Sequence, residues 1–337
     1  INGMGITVAN DLWTAMAAKE RALAKPGYPS AVAATPLKAV IAERKAAGQP
    51  PLNVFMTFPA GSHNLNIRYW LAAGGVHPGF YDGLGDPKGG IDGELTLTTN
   101  PPPQMASAMS AGNCAAFCVG EPWNMQVTIK EKSGRLAIPS QYVFDGSPDK
   151  VFGVAKAWAD KNPKTLKAMT KALIRAGIWL DAHRANRKAA VEMLAHKDYI
   201  GADPLVLAES MLGSLVYNVD GGTADRRSEP EFNVFFRRHA SFPWQSHAVW
   251  VLTQFRRWGM IPENKPDAWY LDTAAKVYRT DIYRAAYAEL VAESKAPADG
   301  IPADDLRSYP AEAFIDRIAF DPKQPNAYLA QFAIGKK

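Results

Sequence analysis

Cysteine is almost absent: Cys114 and Cys118 are the two in 337 residues. That excludes a disulfide scaffold and leaves the chain dependent on core burial. Long hydrophobic runs are missing as well. The longest uncharged stretch, Leu95 to Gly120, carries three prolines, a glutamine and several Ser/Thr, which hydrocarbon does not accept, so no membrane span is expected. No sign of charge dominates. The 38 Lys+Arg stand against 33 Asp+Glu for a net +5, a mild excess that suits small anions and does not suggest nucleic acid. What is present is apolar substance, 47% hydrophobic and 10% aromatic, which excludes wholesale disorder. At about 150 residues per domain, the length suggests two domains.

An initiator methionine is also missing. The chain opens on Ile1 and runs into Asn2-Gly3-Met4-Gly5-Ile6-Thr7-Val8, which reads as a loop and strand already inside a fold. No basic and apolar leader is visible. The chain is therefore expected to be a fragment whose true N-terminus lies outside it.

Most enzyme signatures fail. There is no Gly-x-Ser-x-Gly elbow, no His-Glu-x-x-His and no Walker loop. Gly83-Leu-Gly85 lacks the spacing of a dinucleotide turn, and Asp82, Asp86 and Asp92 miss the calcium-loop pattern. Cys114 and Cys118 lack further metal ligands nearby and read as small buried hydrophobes. Six histidines, at 63, 77, 183, 196, 239 and 247, show no ligand spacing. No metal and no cofactor are expected.

The pattern of elements is α/β. Asp11–Lys25 and Pro36–Ala47 suggest two short helices. Asn53–Phe58 reads as a strand stopped by Pro59, with Gly61-Ser62-His63 opening a helix to Ala73. Gly74–Gly93 has the composition of a loop or lid. Glu94–Thr99 is a strand, Pro101–Gln104 starts a helix, Ala115–Val119 is a strand, and Gly120-Glu121-Pro122-Trp123 enters another helix. This repeated order predicts an α/β layer with mainly parallel strands. Val151–Ala155 reads as a last extended run, and helical patterns dominate from Asn162 onward. Residues 161–197 hold nine Lys/Arg against Asp181 and Glu192, read first as a solvated helix face and second as an anion-attracting field.

His63 is placed unusually. It follows a strand and Pro59-Ala60-Gly61-Ser62 at the first turn of a helix, where free N–H groups and the positive dipole end favour an anion. Gly120 stands at a second strand-to-helix turn of the same kind, and both turns open at the carboxyl edge where α/β sheets bind ligands. Taken alone, His63 reads as a capping or packed histidine. With Gly120 and Lys150 beside it, the anion-site reading is favoured.

The runs Thr57-Phe-Pro-Ala-Gly-Ser-His63, Arg68-Tyr-Trp-Leu-Ala-Ala-Gly-Gly75, Pro101-Pro-Pro-Gln-Met105, Phe117-Cys-Val-Gly-Glu-Pro-Trp-Asn124, Asp149-Lys-Val-Phe-Gly-Val154 and Ser241-Phe-Pro-Trp-Gln-Ser-His247, with Ile318–Pro322 near the end, closely resemble the nitrate/bicarbonate-binding proteins of ABC importers. The resemblance covers essentially the whole chain in one order. It implies a type II periplasmic-binding-protein fold of two α/β lobes with a hinge, lobe two over 53–150 and lobe one over 1–52 plus 151–337. Since the family's opening strands precede the run matched by Asn2 to Thr7, lobe one is incomplete here. The family's ligand histidine falls on His63, its cleft glycine on Gly120 and its ligand lysine on Lys150. Asn2, Thr7, Gly61, Ser62, Glu121 and Trp123 are implied as supporting residues. A ligand tryptophan of the family lies off this chain, and a ligand glutamine falls near Met4, which has no amide to offer.

The function implied is capture of nitrate or nitrite without chemical turnover, in the periplasm, free or membrane-tethered, for the permease and ATPase of an ABC importer. Three other readings stay open. One is a cytoplasmic nitrate/nitrite sensor controlling an antiterminator. Another is a bicarbonate-binding protein, whose relatives place a carboxylate with calcium where Lys150 stands. The last is a thiamin-pyrimidine synthase of the same lobed fold, for which Cys114 and Cys118 are a poor match.

Overall fold

The computed structural model describes residues 1–336. Strand β1 (Met4–Ala9) leads into α1 (Asn10–Lys19) and α2 (Thr35–Ala46), followed by β2 (Asn53–Met56), α3 (Ser62–Ala73), β3 (Thr96–Thr99), α4 (Pro102–Ser110) and β4 (Ala116–Gly120). The short helix α5 (Trp123–Met125), β5 (Gly134–Pro139) and α6 (Ser140–Val143) complete the first half. Beyond it come α7 (Lys156–Lys161), α8 (Pro163–Ala182), α9 (Arg184–Ala195), α10 (Pro204–Met211) and the hairpin β6 (Ser214–Asp220) and β7 (Thr223–Ser228). The chain continues through α11 (Gln245–Arg257), α12 (Asp267–Val277), α13 (Thr280–Ala292) and α14 (Pro325–Ala330).

The main sheet runs β3-β2-β4-β1-β5. Strand β2 is parallel to β3 and β4, whereas β1 is antiparallel to both β4 and β5. The sheet is therefore mixed, not mainly parallel as expected. All six residues of β1 are buried, as a strand flanked on both edges and covered on both faces must be. Because β1 shares this sheet with β2, β3 and β4, segments 1–52 and 53–150 are joined by one hydrogen-bonded ladder.

Two other expectations changed. Val151–Ala155 forms no strand among the described residues and stays exposed, Val151 at 67%; its β-favouring composition has no ladder to join. Between the later helices lies the hairpin β6–β7, turned at Gly221-Gly222 with both φ positive, a glycine pair that marks a tight hairpin.

Helix α3 is the element that positions the site. Nine of its residues are buried, including Asn64, Asn66 and Arg68, so it runs through the interior against the sheet and α11. Buried polar groups need partners, and Asn64 and Arg68 have them. The Arg68 guanidinium donates to the carbonyls of Gly79 at 2.6 Å and Gly89 at 2.9 Å, and to Asn64 Oδ1 at 2.9 Å, while lying 4.4 Å from the centre of the Tyr81 ring. One buried side chain thus ties the 74–93 loop to the helix that carries His63. Cys114 and Cys118 are both free and buried, and burial pushes the Cys114 thiol up to about 12.

Candidate functional site

Strand β2 ends at Met56, and the turn Thr57–Gly61 makes His63 the second residue of α3. Gly61 has extended backbone and brings no capping side chain, so the positive end of α3 keeps its electrostatic character. Strand β4 ends at Gly120, paired with Met4 of β1, and the N–H of Glu121 donates to the Gly3 carbonyl at 3.1 Å. Ser62 Oγ donates to the Asp149 carbonyl at 3.3 Å, tying the β2–α3 turn to the segment that carries Lys150.

These three chain segments converge on one point. A Cβ built on Gly120 would lie 2.9 Å from Lys150 Nζ, 3.5 Å from His63 Nε2 and 3.8 Å from the Gly3 carbonyl oxygen. Only a residue without a side chain leaves that space open. His63, Gly120 and Lys150, far apart in sequence, are therefore neighbours in space.

The ring of His63 is held from behind, where Thr57 Oγ1 lies 3.0 Å from Nδ1. When that hydroxyl donates, the ring proton sits on Nε2, on the side of Gly120. Burial pushes the histidine down to about 4, with Lys150 acting in the same direction and Asp149 opposing. The ring is neutral at pH 7.

Asp149 is the residue that sequence reading missed. Its Oδ2 accepts from Lys150 Nζ at 2.5 Å, and its Oδ1 lies 3.7 Å from His63 Nε2. Both Oδ1 and Nε2 are buried without a hydrogen-bond partner. Adjacency to Lys150 was the available signal, because neighbouring acid and base in a turn can pair. Gly3, with φ +81, is also required: a Cβ there would meet Asn233 Oδ1 at 2.6 Å and approach Asp149 Oδ2 at 3.7 Å.

The supporting residues divide. Gly61 and Ser62 shape the turn below His63. Glu121 adjoins Gly120 with Oε2 accepting from the Met125 N–H at 3.1 Å; Oε1 is buried and unpartnered, and burial pushes the carboxyl up to about 7. Asn2 is structural, donating to the Glu231 carbonyl at 2.8 Å and accepting from the Gly146 N–H at 3.1 Å. Thr7 donates to Asn124 Oδ1 at 2.7 Å inside the sheet. Trp123 packs on the cluster of Phe55, Met105 and Phe117. Met4 is fully buried in the core.

A cation and a neutral imidazole around a glycine at the carboxyl edge of a sheet offer hydrogen-bond donors and positive charge, which suit an anion. A family model for the NMT1-like family matches residues 1–195. The chain belongs to the NMT1-like family. As a member of that family it is also similar to the nitrate/nitrite binding protein NrtA of Synechococcus elongatus, at 34% identity over 296 residues, 87% of this chain and 60% of that protein. To the bicarbonate-binding protein CmpA of the same organism it is 28% identical over 280 residues, 82% of this chain and 58% of that protein. The crystal structure of the periplasmic nitrate-binding protein NrtA from Synechocystis PCC 6803 superposes with a TM-score of 0.82 at 29% identity, covering 99% of this chain and 75% of that one. This NMT1-like chain thus has the fold of a periplasmic binding protein, and it spans about 60% of the length of the curated relatives it matches.

In this family member the basic 161–197 segment has its own partners. Lys171 of α8 pairs with Glu289 of α13 at 3.1 Å and with Glu293, Lys167 pairs with Glu289, and Arg187 pairs with Asp181. Lys167, Lys171 and Arg187 of the nine bases therefore brace helices. No helix among the described residues is long and apolar enough to cross a membrane.

Proposed function

We propose that this chain captures nitrate, or nitrite, at His63, Gly120 and Lys150, and releases it unchanged to the permease and ATPase of an ABC importer from the periplasmic side. The observation that carries the reading is the space over Gly120, bounded by Lys150 Nζ and His63 Nε2. Nitrate is a planar monoanion with acceptor oxygens and no proton, so donors and positive charge suit it. The identity to a nitrate/nitrite binding protein supports the ligand, and the fold supports binding without catalysis. Bicarbonate is disfavoured because a lysine at position 150 repels the calcium that a carboxylate there would hold.

The continuous sheet favours one lobe that includes both 1–52 and 53–150, and Trp250 and Tyr328 of the later helices pack into the same core. The capture reading is tested by titrating the 337-residue chain with sodium nitrate. A ligand that binds only the native state raises its melting temperature, and nitrate should be recovered unaltered. His63→Ala should abolish the rise. Turnover of nitrate, or a calcium-dependent response to bicarbonate as strong as that to nitrate, would overturn it.

A further inference from the structure

The donor set contains a carboxylate that anion capture does not call for. Asp149 Oδ2 engages Lys150 Nζ at 2.5 Å, and Oδ1 points toward His63 Nε2 across a 3.7 Å gap too long for a hydrogen bond. The two atoms facing that gap are buried and unpartnered. Asp149 thus touches both groups that would hold a ligand, one through each oxygen. It offers no proton-bearing atom, so an aprotic oxyanion gains nothing from it and meets its negative charge.

We propose, building on the capture reading above, that Asp149 is the specificity-determining residue of this cleft and restricts it to singly charged oxyanions, rejecting sulfate and hydrogen phosphate. With His63 neutral, the charges of Lys150 and Asp149 cancel. A monoanion can draw Lys150 partly away from Asp149 and adds one negative charge to the pair. A dianion adds two, beside a carboxylate whose side chain is 16% exposed. Coulomb energy is proportional to ligand charge. Removing the Asp149 charge must therefore help a dianion about twice as much in free energy as a monoanion, so the fold-change for sulfate is about the square of that for nitrate. A roughly ten-fold gain for nitrate corresponds to a roughly hundred-fold gain for sulfate.

The test uses the 337-residue chain and its Asp149→Asn and Asp149→Ser variants at pH 8, where His63 and the Ile1 amine, pushed down to about 4 and about 6 respectively, are uncharged. Sodium sulfate and sodium nitrate are titrated by calorimetry at fixed ionic strength, chloride replacing the varied anion. The expected result is no sulfate binding by the parent chain and clear sulfate binding by at least one variant that melts cooperatively. Lys150→Met added to that variant should remove it. Sulfate binding by the parent chain, its absence from both variants, equal gains for the two anions, or its survival in the Lys150→Met background would each overturn the proposal. A parent chain silent to nitrate would instead remove the capture reading, while the sulfate comparison still decides the role of Asp149.

Discussion

Gly120 and Lys150 fit together because residue 120 has no side chain: a Cβ there would stand 2.9 Å from the lysine Nζ. Nζ is the end of a long side chain that is 70% exposed, so it can swing away from an added methyl group at small cost to folding. The two residues are coupled through the ligand space and hardly through stability.

Gly120→Ala should therefore separate binding from folding. The melting temperature of the unliganded chain should fall little, by less than about 1 kcal/mol in equivalent stability. Nitrate affinity should drop at least about ten-fold, because ammonium and imidazole can no longer close on one small anion. Calorimetry beside a thermal melt checks both, and unchanged nitrate affinity would remove Gly120 from the site.

His63 should leave a signature in the pH dependence of stability. Burial holds it near 4 in the folded chain, below the ordinary 6.5, so the unfolded chain takes up a proton first as pH falls. Its contribution is complete above pH 6.5 and is lost between about 6.5 and 4, amounting to roughly 3 kcal/mol. His247, pushed down to about 3 by burial, acts in the same sense. Melts of His63→Gln should accordingly be flatter between pH 7 and 4 than those of the parent chain.

Glu121 acts in the opposite direction. Its buried carboxyl is raised to about 7 from 4.5, so its stabilising contribution is present below pH 4.5 and is lost as pH rises toward 7. Glu121→Gln removes the charge that burial disfavours. The variant should be more stable than the parent at pH 8, by up to about 3 kcal/mol, and nearly equal at pH 4. Denaturant titrations at the two pH values decide it.

Arg68 should prove structural. Replacing it by Met leaves the carbonyls of Gly79 and Gly89 without their buried donor, at a cost of about 3 kcal/mol. The loop should loosen first, with faster tryptic cleavage after the exposed Lys88. Cleavage at the parent rate would show that the loop is held by other contacts.

Local order was legible in the sequence wherever the responsible residues are neighbours. Pro59 and Gly61 end β2 and open α3 through backbone constraints that act within a few residues, and the prolines at 101–103 start α4 for the same reason. His63, Gly120 and Lys150 could be singled out because each stands at such a punctuation point or in a run carrying a family resemblance. Gly221-Gly222 was equally local, and its hairpin was there to be read.

What tertiary structure decided involves partners remote in sequence. Whether the apolar run of β1 lies parallel or antiparallel to its neighbours depends on where β4 and β5 stand, and alternation within one strand carries no such information. Val151–Ala155 has the composition of a strand but no ladder to complete, since β propensity becomes structure only against a partner edge. The role of Asp149 was hidden for a related reason. Its charge matters because folding brings Oδ1 within 3.7 Å of an imidazole 86 residues earlier while Oδ2 holds the adjacent lysine. Chain order sets which groups are available; only burial at a shared point makes one of them select among anions.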